Sequence, residues 1–230
     1  WCLRRFRHGP LEWLLPRQEQ LTEYCQDWPE WLPEMVVKIK TAKTALAKAA
    51  TPTARHQAEY ALATATYGVR KQADLSYDCY WRLKALEEKL GNDESLLRAK
   101  CLYTMGTSLQ NLADANVYHS YYSLACIHLG PAWLGQDEDL MTWSQSRRIF
   151  LEIADIYQRI ADECPETTLA DDALYWAAFN CKLYCSRSWR WQKNDDDPVE
   201  DEVEARRQAL LQRIRDDYPD SDTFKRLAAD

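Results

Sequence analysis

The segment Tyr157-Gln158-Arg159-Ile160-Ala161-Asp162-Glu163-Cys164-Pro165-Glu166-Thr167 returns 54 positions later as Leu211-Gln212-Arg213-Ile214-Arg215-Asp216-Asp217-Tyr218-Pro219-Asp220-Ser221. In both, Gln-Arg-Ile and an acid lead to a proline, which ends a helix because it has no N–H to donate and restricts the residue before it. The acid and hydroxyl residues behind each proline are good formers of the next helix cap. A helix end and a helix start repeated at one offset predict stacked helical hairpins. The expected fold class is therefore all-α, an α-solenoid of antiparallel hairpins.

Composition supports helix over sheet. Only 6 Gly and 9 Pro occur in 230 residues, too few for the tight turns of an all-β fold, while strong helix formers are plentiful. The net charge of -7, with no basic stripe interleaved with aromatics, argues against nucleic acid as a partner. No stretch reaches the roughly 20 apolar residues that a spanning helix needs, and no apolar core of signal-peptide length follows the basic opening Trp1 to His8. The start at Trp1 and the helical pattern from Thr223 to Asp230 read as part of something longer.

Along the chain, residues 1–33 form a Trp/Pro-rich segment with one short helix expected over 18–27. Residues 34–130 read as divergent helical hairpins. Met35, Val36, Ile39, Ala42, Leu46 and Ala49 mark a helix from Pro33 to Ala50. After Thr51-Pro52-Thr53, a stripe through Ala58, Ala61, Leu62, Ala65, Val69, Ala73, Tyr77, Trp81 and Leu86 continues to Leu90, with Gly68 as a kink or a join. Gly91-Asn92-Asp93 ends that stretch and caps a helix from Glu94 to Ala113, with Leu97, Cys101, Leu102, Met105 and Leu109 on its apolar face; another helix is expected over 117–129. Residues 131–230 hold the clearer repeats, with helices expected over 141–164, 168–187 and 199–218 and an inserted loop at 188–198.

Ile153 or Ala154, Tyr157, Ile160 and Pro165, followed by Leu169 to Ala177, resemble the second helix of one tetratricopeptide repeat and the first helix of the next. Asp217-Tyr218-Pro219-Asp220-Ser221 is similar to the Tyr-Pro-x-Ser type turn of bacterial envelope members of that family, and Cys164-Pro165-Glu166-Thr167 departs from it at one place. The likeness covers about residues 145–230 well and 93–130 loosely. The 54-residue offset exceeds the roughly 34 of a standard unit by about 20, which fits an insertion at 188–198. The resemblance implies a helical-repeat fold and a role in binding; the setting is open between the periplasm or envelope and the cytoplasm, and the resemblance leans to the envelope.

Few residues carry a chemical signal. On the helix over 168–187, Asp172, Trp176, Phe179, Asn180 and Tyr184 recur on one side, opposite Ala173, Leu174, Ala177, Ala178, Cys181 and Leu183. Two readings are open: an amphipathic helix burying aromatics against its neighbour, or, as the resemblance implies, an inner groove wall where Asn180 bonds a peptide backbone. Trp189 and Trp191 either cover the end of a hairpin or act as a partner-binding knob, since aromatics and Arg dominate interface energetics. The run from Asp195 to Glu204 reads as a solvated loop and an acid-rich first helical turn, favoured by the helix dipole, and lacks the ligand spacing of a calcium loop.

The 8 cysteines stand singly, without the paired spacing of a zinc site. They read as buried small apolar groups. Cys181 and Cys185, one turn apart, could hold half a metal site, and Cys79 and Cys101, on either side of Gly91-Asn92, could meet across a hairpin. Histidines 8, 56, 119 and 128 are isolated, and no HExxH, GxSxG, phosphate loop or dinucleotide fingerprint is present.

The expectation is a noncatalytic scaffold or adaptor of a larger bacterial assembly, with no cofactor and no metal. It would bind another protein or peptide in a solenoid groove and would itself form a homo-oligomer or part of a larger complex. The competing expectation is a regulatory or sensing domain whose catalytic or membrane module lies elsewhere in a longer protein.

Overall fold

A computed structural model of the chain describes residues 31–65, 73–115, 148–186 and 200–229. The expected helices over 18–27 and 117–129 and the loop at 188–198 lie outside these residues. Among the described residues are eight α-helices, one 3-10 turn and no strand: α1 (Trp31–Lys48), α2 (Pro52–Thr64), α3 (Ala73–Glu87), α4 (Ser95–Ala115), α5 (Arg148–Glu163), α6 (Ala170–Cys185), α7 (Glu200–Asp217) and α8 (Asp222–Ala229). The all-α expectation is met. No described helix is long and apolar enough to cross a membrane.

Local chemistry sets the boundaries. Thr51 caps α2 by accepting from the Ala54 amide at 3.2 Å, and Pro52 takes the first helical position, where no amide is needed. The stretch expected from Thr53 to Leu90 is two helices, α2 and α3, on either side of the segment that holds Gly68. Between α3 and α4, the Glu94 carboxylate reaches back to accept from the Gly91 amide, ordering a short 3-10 turn over Asn92–Glu94.

The two echoing segments fold alike. The Cys164 amide donates to the Ile160 carbonyl at 2.9 Å and the Tyr218 amide to the Ile214 carbonyl at 3.0 Å; the Thr167 and Ser221 amides then close matching turns onto Cys164 and Tyr218, both at 3.1 Å. Their side chains diverge. Ser221 Oγ accepts from the Phe224 amide and caps α8, whereas Thr167 Oγ1 donates back to the Cys164 carbonyl.

Each described helix packs on the described helix that follows it, and α2 also touches α4 while α6 touches α8. Side-chain bonds link alternate helices in two rows. On one row, Tyr60 of α2 bonds Thr104 of α4, Tyr103 of α4 bonds Asp172 of α6, and Arg226 of α8 bonds Asp172 again. On the other, Arg159 of α5 reaches Glu87 of α3 at 3.0 Å, and Arg213 of α7 reaches Asp162 and the Ala161 carbonyl of α5.

One contiguous apolar core runs from Ala63 and Cys79 through Leu102, Ile153, Tyr157 and Leu174 to Ile214. At about 25 cal/mol per Å² of apolar area, burial of this kind supplies the main folding force. Two expected stripes are widened: Ala58, Ala65 and Leu86 are buried as expected, but other positions join them. Ala61 is exposed and Ala63 buried on α2, and on α3 the side chains at 0–4% exposure are Cys79, Tyr80, Leu83 and Leu86 rather than Trp81. The reason is that each helix meets neighbours on two sides, so its buried arc is wider than a single stripe.

Candidate functional site

The expected site residues on α6 fall into two groups. Asp172, Trp176 and Phe179 are partly exposed on the row formed by the even-numbered helices. Asn180 and Tyr184 are 0% and 1% exposed, so they do not present themselves to solvent, and this corrects the expectation of a single accessible face. Helical geometry gives the reason: seven residues bring a helix nearly back to the same direction. Asn180 is thus in line with Ala173 and Tyr184 with Ala177, both buried. The Asn180 amide nitrogen donates to the Trp176 carbonyl at 2.9 Å inside its own helix, and its buried oxygen has no hydrogen-bond partner among the described residues. Trp189 and Trp191 lie outside the described residues.

Asp172 is the hub of the row. It sits in the first turn of α6, where the helix dipole favours a carboxylate. Its Oδ2 accepts from the Tyr103 hydroxyl at 2.6 Å and the Trp176 indole at 3.1 Å, and its Oδ1 accepts from the Arg226 guanidinium at 2.7 Å. Burial, and then the bond to Asp172, push the Tyr103 hydroxyl far above the ordinary phenol range. Arg226 also lies over the Tyr175 ring, 5.1 Å from its centroid.

An aromatic belt surrounds this carboxylate. Tyr157 stacks on Trp176 at 6.5 Å and meets Tyr103 edge-on at 5.3 Å, and Trp176 meets Phe179 edge-on at 5.5 Å. The Tyr157 ring reaches this place because Gly106 leaves room: a Cβ there would stand 2.8 Å from the ring. Tyr157 is then fixed by its hydroxyl, 3.0 Å from Thr107 Oγ1.

On the same row, a cleft of about 300 Å³ lies between α2 and the start of α4. Gln57 and Tyr60 line it from α2, and Leu96, Leu97 and Lys100 from α4; Leu96 is 50% exposed. His56 and Glu94 flank it, their Nδ1 and Oε2 2.9 Å apart. A wider depression of about 530 Å³ lies on the opposite row between α5 and α7. There Arg206 bonds Asp155 and Gln158, Arg159 bonds Glu87 and Glu163, and Asp162 bonds Arg213. Each of its charges already has an opposite charge beside it, which leaves no surplus to attract a charged ligand.

Nothing in the described residues gathers three or more metal-ligating side chains. Cys181 is buried, and Cys185 donates its thiol to the Glu200 carbonyl at 3.6 Å, which brings the end of α6 beside the start of α7. No protein-family model, curated protein or solved structure matches the chain.

As site residues, sequence reasoning missed Tyr103, Tyr175, Arg226 and Gly106, and it took Tyr157 only as a marker of the repeat. One signal for Arg226 was present. It lies 54 residues after Asp172, the offset of the echo itself, and stacked units bring such positions side by side.

Proposed function

We propose that this chain is a noncatalytic helical-repeat scaffold, an α-solenoid of antiparallel hairpins that binds a peptide or partner helix along the row of even-numbered helices. The observation that carries the reading is the pattern of links between alternate helices. Between α2 and α4 with its leading turn they span 38 and 44 residues, between the α3/α4 and α5/α6 pairs 69 to 72, and between α5/α6 and α7/α8 48 to 54. Within each step the spans fall within about two helical turns of one another, as they do when one hairpin stacks on the next.

The cleft between α2 and α4 is the accessible part of that row best suited to a partner. Tyr60, Leu96 and Leu97 offer apolar contact, while Gln57 and Lys100 add an amide and a cation at its rim. Phe179 and the edge of Trp176 extend the aromatic surface on α6. Buried Asn180 and Tyr184 serve α6 packing in this reading and make no partner contact.

Affinity capture of the full-length protein from its native host, beside a Leu96→Asp/Lys100→Glu variant of native circular dichroism, tests the proposal. A discrete protein held by the parent and lost by the variant supports it. The same partner held by the folded variant moves the site off this cleft. No partner with either bait overturns the scaffold reading and favours a domain that serves its own chain.

A further inference from the structure

The α3–α4 hairpin carries two cysteines at matched distances from its turn. Cys79 stands 12 residues before Gly91 and Cys101 stands 10 after it, so the antiparallel register places them at one level of the helix pair. Both are 0% exposed, which fixes both side chains on the interior, helix-facing sides. Nearer the turn, the same register brings Arg98 within 3.7 Å of Glu87. Both cysteines are present as thiols in this structure.

From this geometry we infer that Cys79 and Cys101 are a thiol pair that closes into a disulfide when the chain folds in the presence of a small disulfide oxidant. The other described cysteines sit elsewhere. Cys164 lies against the Ala99 backbone, Cys181 near Arg206 and Asp155, and Cys185 against Glu200. The sulfur of Cys79 is also close enough to Cys101 to help hold its proton, after burial and the Glu87 carboxylate.

The step balances with glutathione disulfide as oxidant. The thiolate of one cysteine attacks a glutathione sulfur, forming a mixed disulfide and releasing one glutathione thiolate. The second cysteine attacks the protein sulfur of that mixed disulfide, forming the Cys79–Cys101 bond and releasing the other. The protein loses two protons and two electrons, and two molecules of reduced glutathione result. Timing follows from burial. Once folded, the Cys101 thiol is pushed up to about 12, so almost none of it is thiolate at neutral pH and the buried pair is shielded from exchange. The bond therefore closes during folding, and the folded reduced protein keeps its thiols.

The test is refolding of the full-length chain from denaturant in a glutathione buffer, followed by alkylation and peptide mapping without reduction. The expected result is a linked pair of peptides containing Cys79 and Cys101, a higher unfolding midpoint than the reduced protein, and loss of that increase once the protein has been unfolded in dithiothreitol and refolded without oxidant. Native reduced protein in the same buffer should form the link at least about tenfold more slowly. Should the denatured chain fail to refold, the same mapping is done on full-length protein secreted into an oxidising compartment. In either preparation, alkylation of both residues as thiols, or pairing of either with another cysteine, overturns the inference.

Discussion

Three donors meet at Asp172, one of them from its own helix and one each from α4 and α8. Replacing it with alanine strands the Tyr103 hydroxyl and the Trp176 indole, both partly buried. Unsatisfied groups of this kind cost about 1–3 kcal/mol each, so Asp172→Ala should lose roughly 2–6 kcal/mol in urea unfolding. Arg226→Ala should lose under about 1 kcal/mol, because its guanidinium is 54% exposed and screened. Gly106 makes an opposite kind of prediction. Alanine is the better helix former by roughly 1 kcal/mol, yet its Cβ would collide with the Tyr157 ring. Overpacking costs about 1–3 kcal/mol, so Gly106→Ala should lower the unfolding midpoint despite its helix propensity. A raised midpoint would refute the close approach of α4 and α5.

Buried acids also set a pH window. Burial pushes Cys101 and Tyr80 both up to about 12, from ordinary values of 9.0 and 10.0. Both groups are neutral in either state below pH 9, so their contribution is then fully present. As pH rises from 9 towards 12 the unfolded chain ionises first, and stability falls across that interval. Unfolding midpoints measured from pH 8 to 12 should stay level and then drop, with phenolate absorbance of Tyr80 appearing only on unfolding. A midpoint that stays level to pH 12 would show these groups to be solvated.

Among the helices, the two echoing turns share a backbone and differ in what their hydroxyls do. Ser221 caps α8, and caps are worth about 0.5–2 kcal/mol, so Ser221→Ala should fray the eight-residue α8 and reduce amide protection there. Thr167→Ala should leave the start of α6 in place, since Thr167 Oγ1 bonds a carbonyl behind it instead of an amide ahead. Hydrogen exchange of the two variants separates these effects. Prolines, caps and a repeated offset act locally, so the turns after α5 and α7 are legible in the sequence itself, whereas the separation of α2 from α3 is not, since Gly68 reads equally as a kink or a join. The faces of α2, α3 and α6 are not legible either, because the buried arc of a helix depends on how many neighbours it meets. Asn180 and Tyr184 illustrate this: both fit an amphipathic stripe, and only the packing of α5 and α7 on either side of α6 makes them interior. The Tyr103–Asp172 bond is out of reach for the same reason, since its two residues meet only after α4, α5 and α6 have settled together.

Across the whole molecule, the claim is that hairpins stack in a line, each touching the one before and the one after, and that the proposed binding row exists because of that order. Such an array opens from its weakest interface outward, whereas a single cooperative globule opens everywhere at once. Arg213 and Tyr218 tie α7 and its following turn to α5 and its turn, and Ser221 caps α8. Native-state hydrogen exchange of an Arg213→Ala/Ser221→Ala variant measures the consequence most directly. In a stacked array, amides of α7 and α8 should lose protection while those of α2 to α4 keep that of the parent protein. Equal loss of protection in α2 to α4 and in α7 and α8 would contradict it, and the row proposed to hold a partner would fall with it.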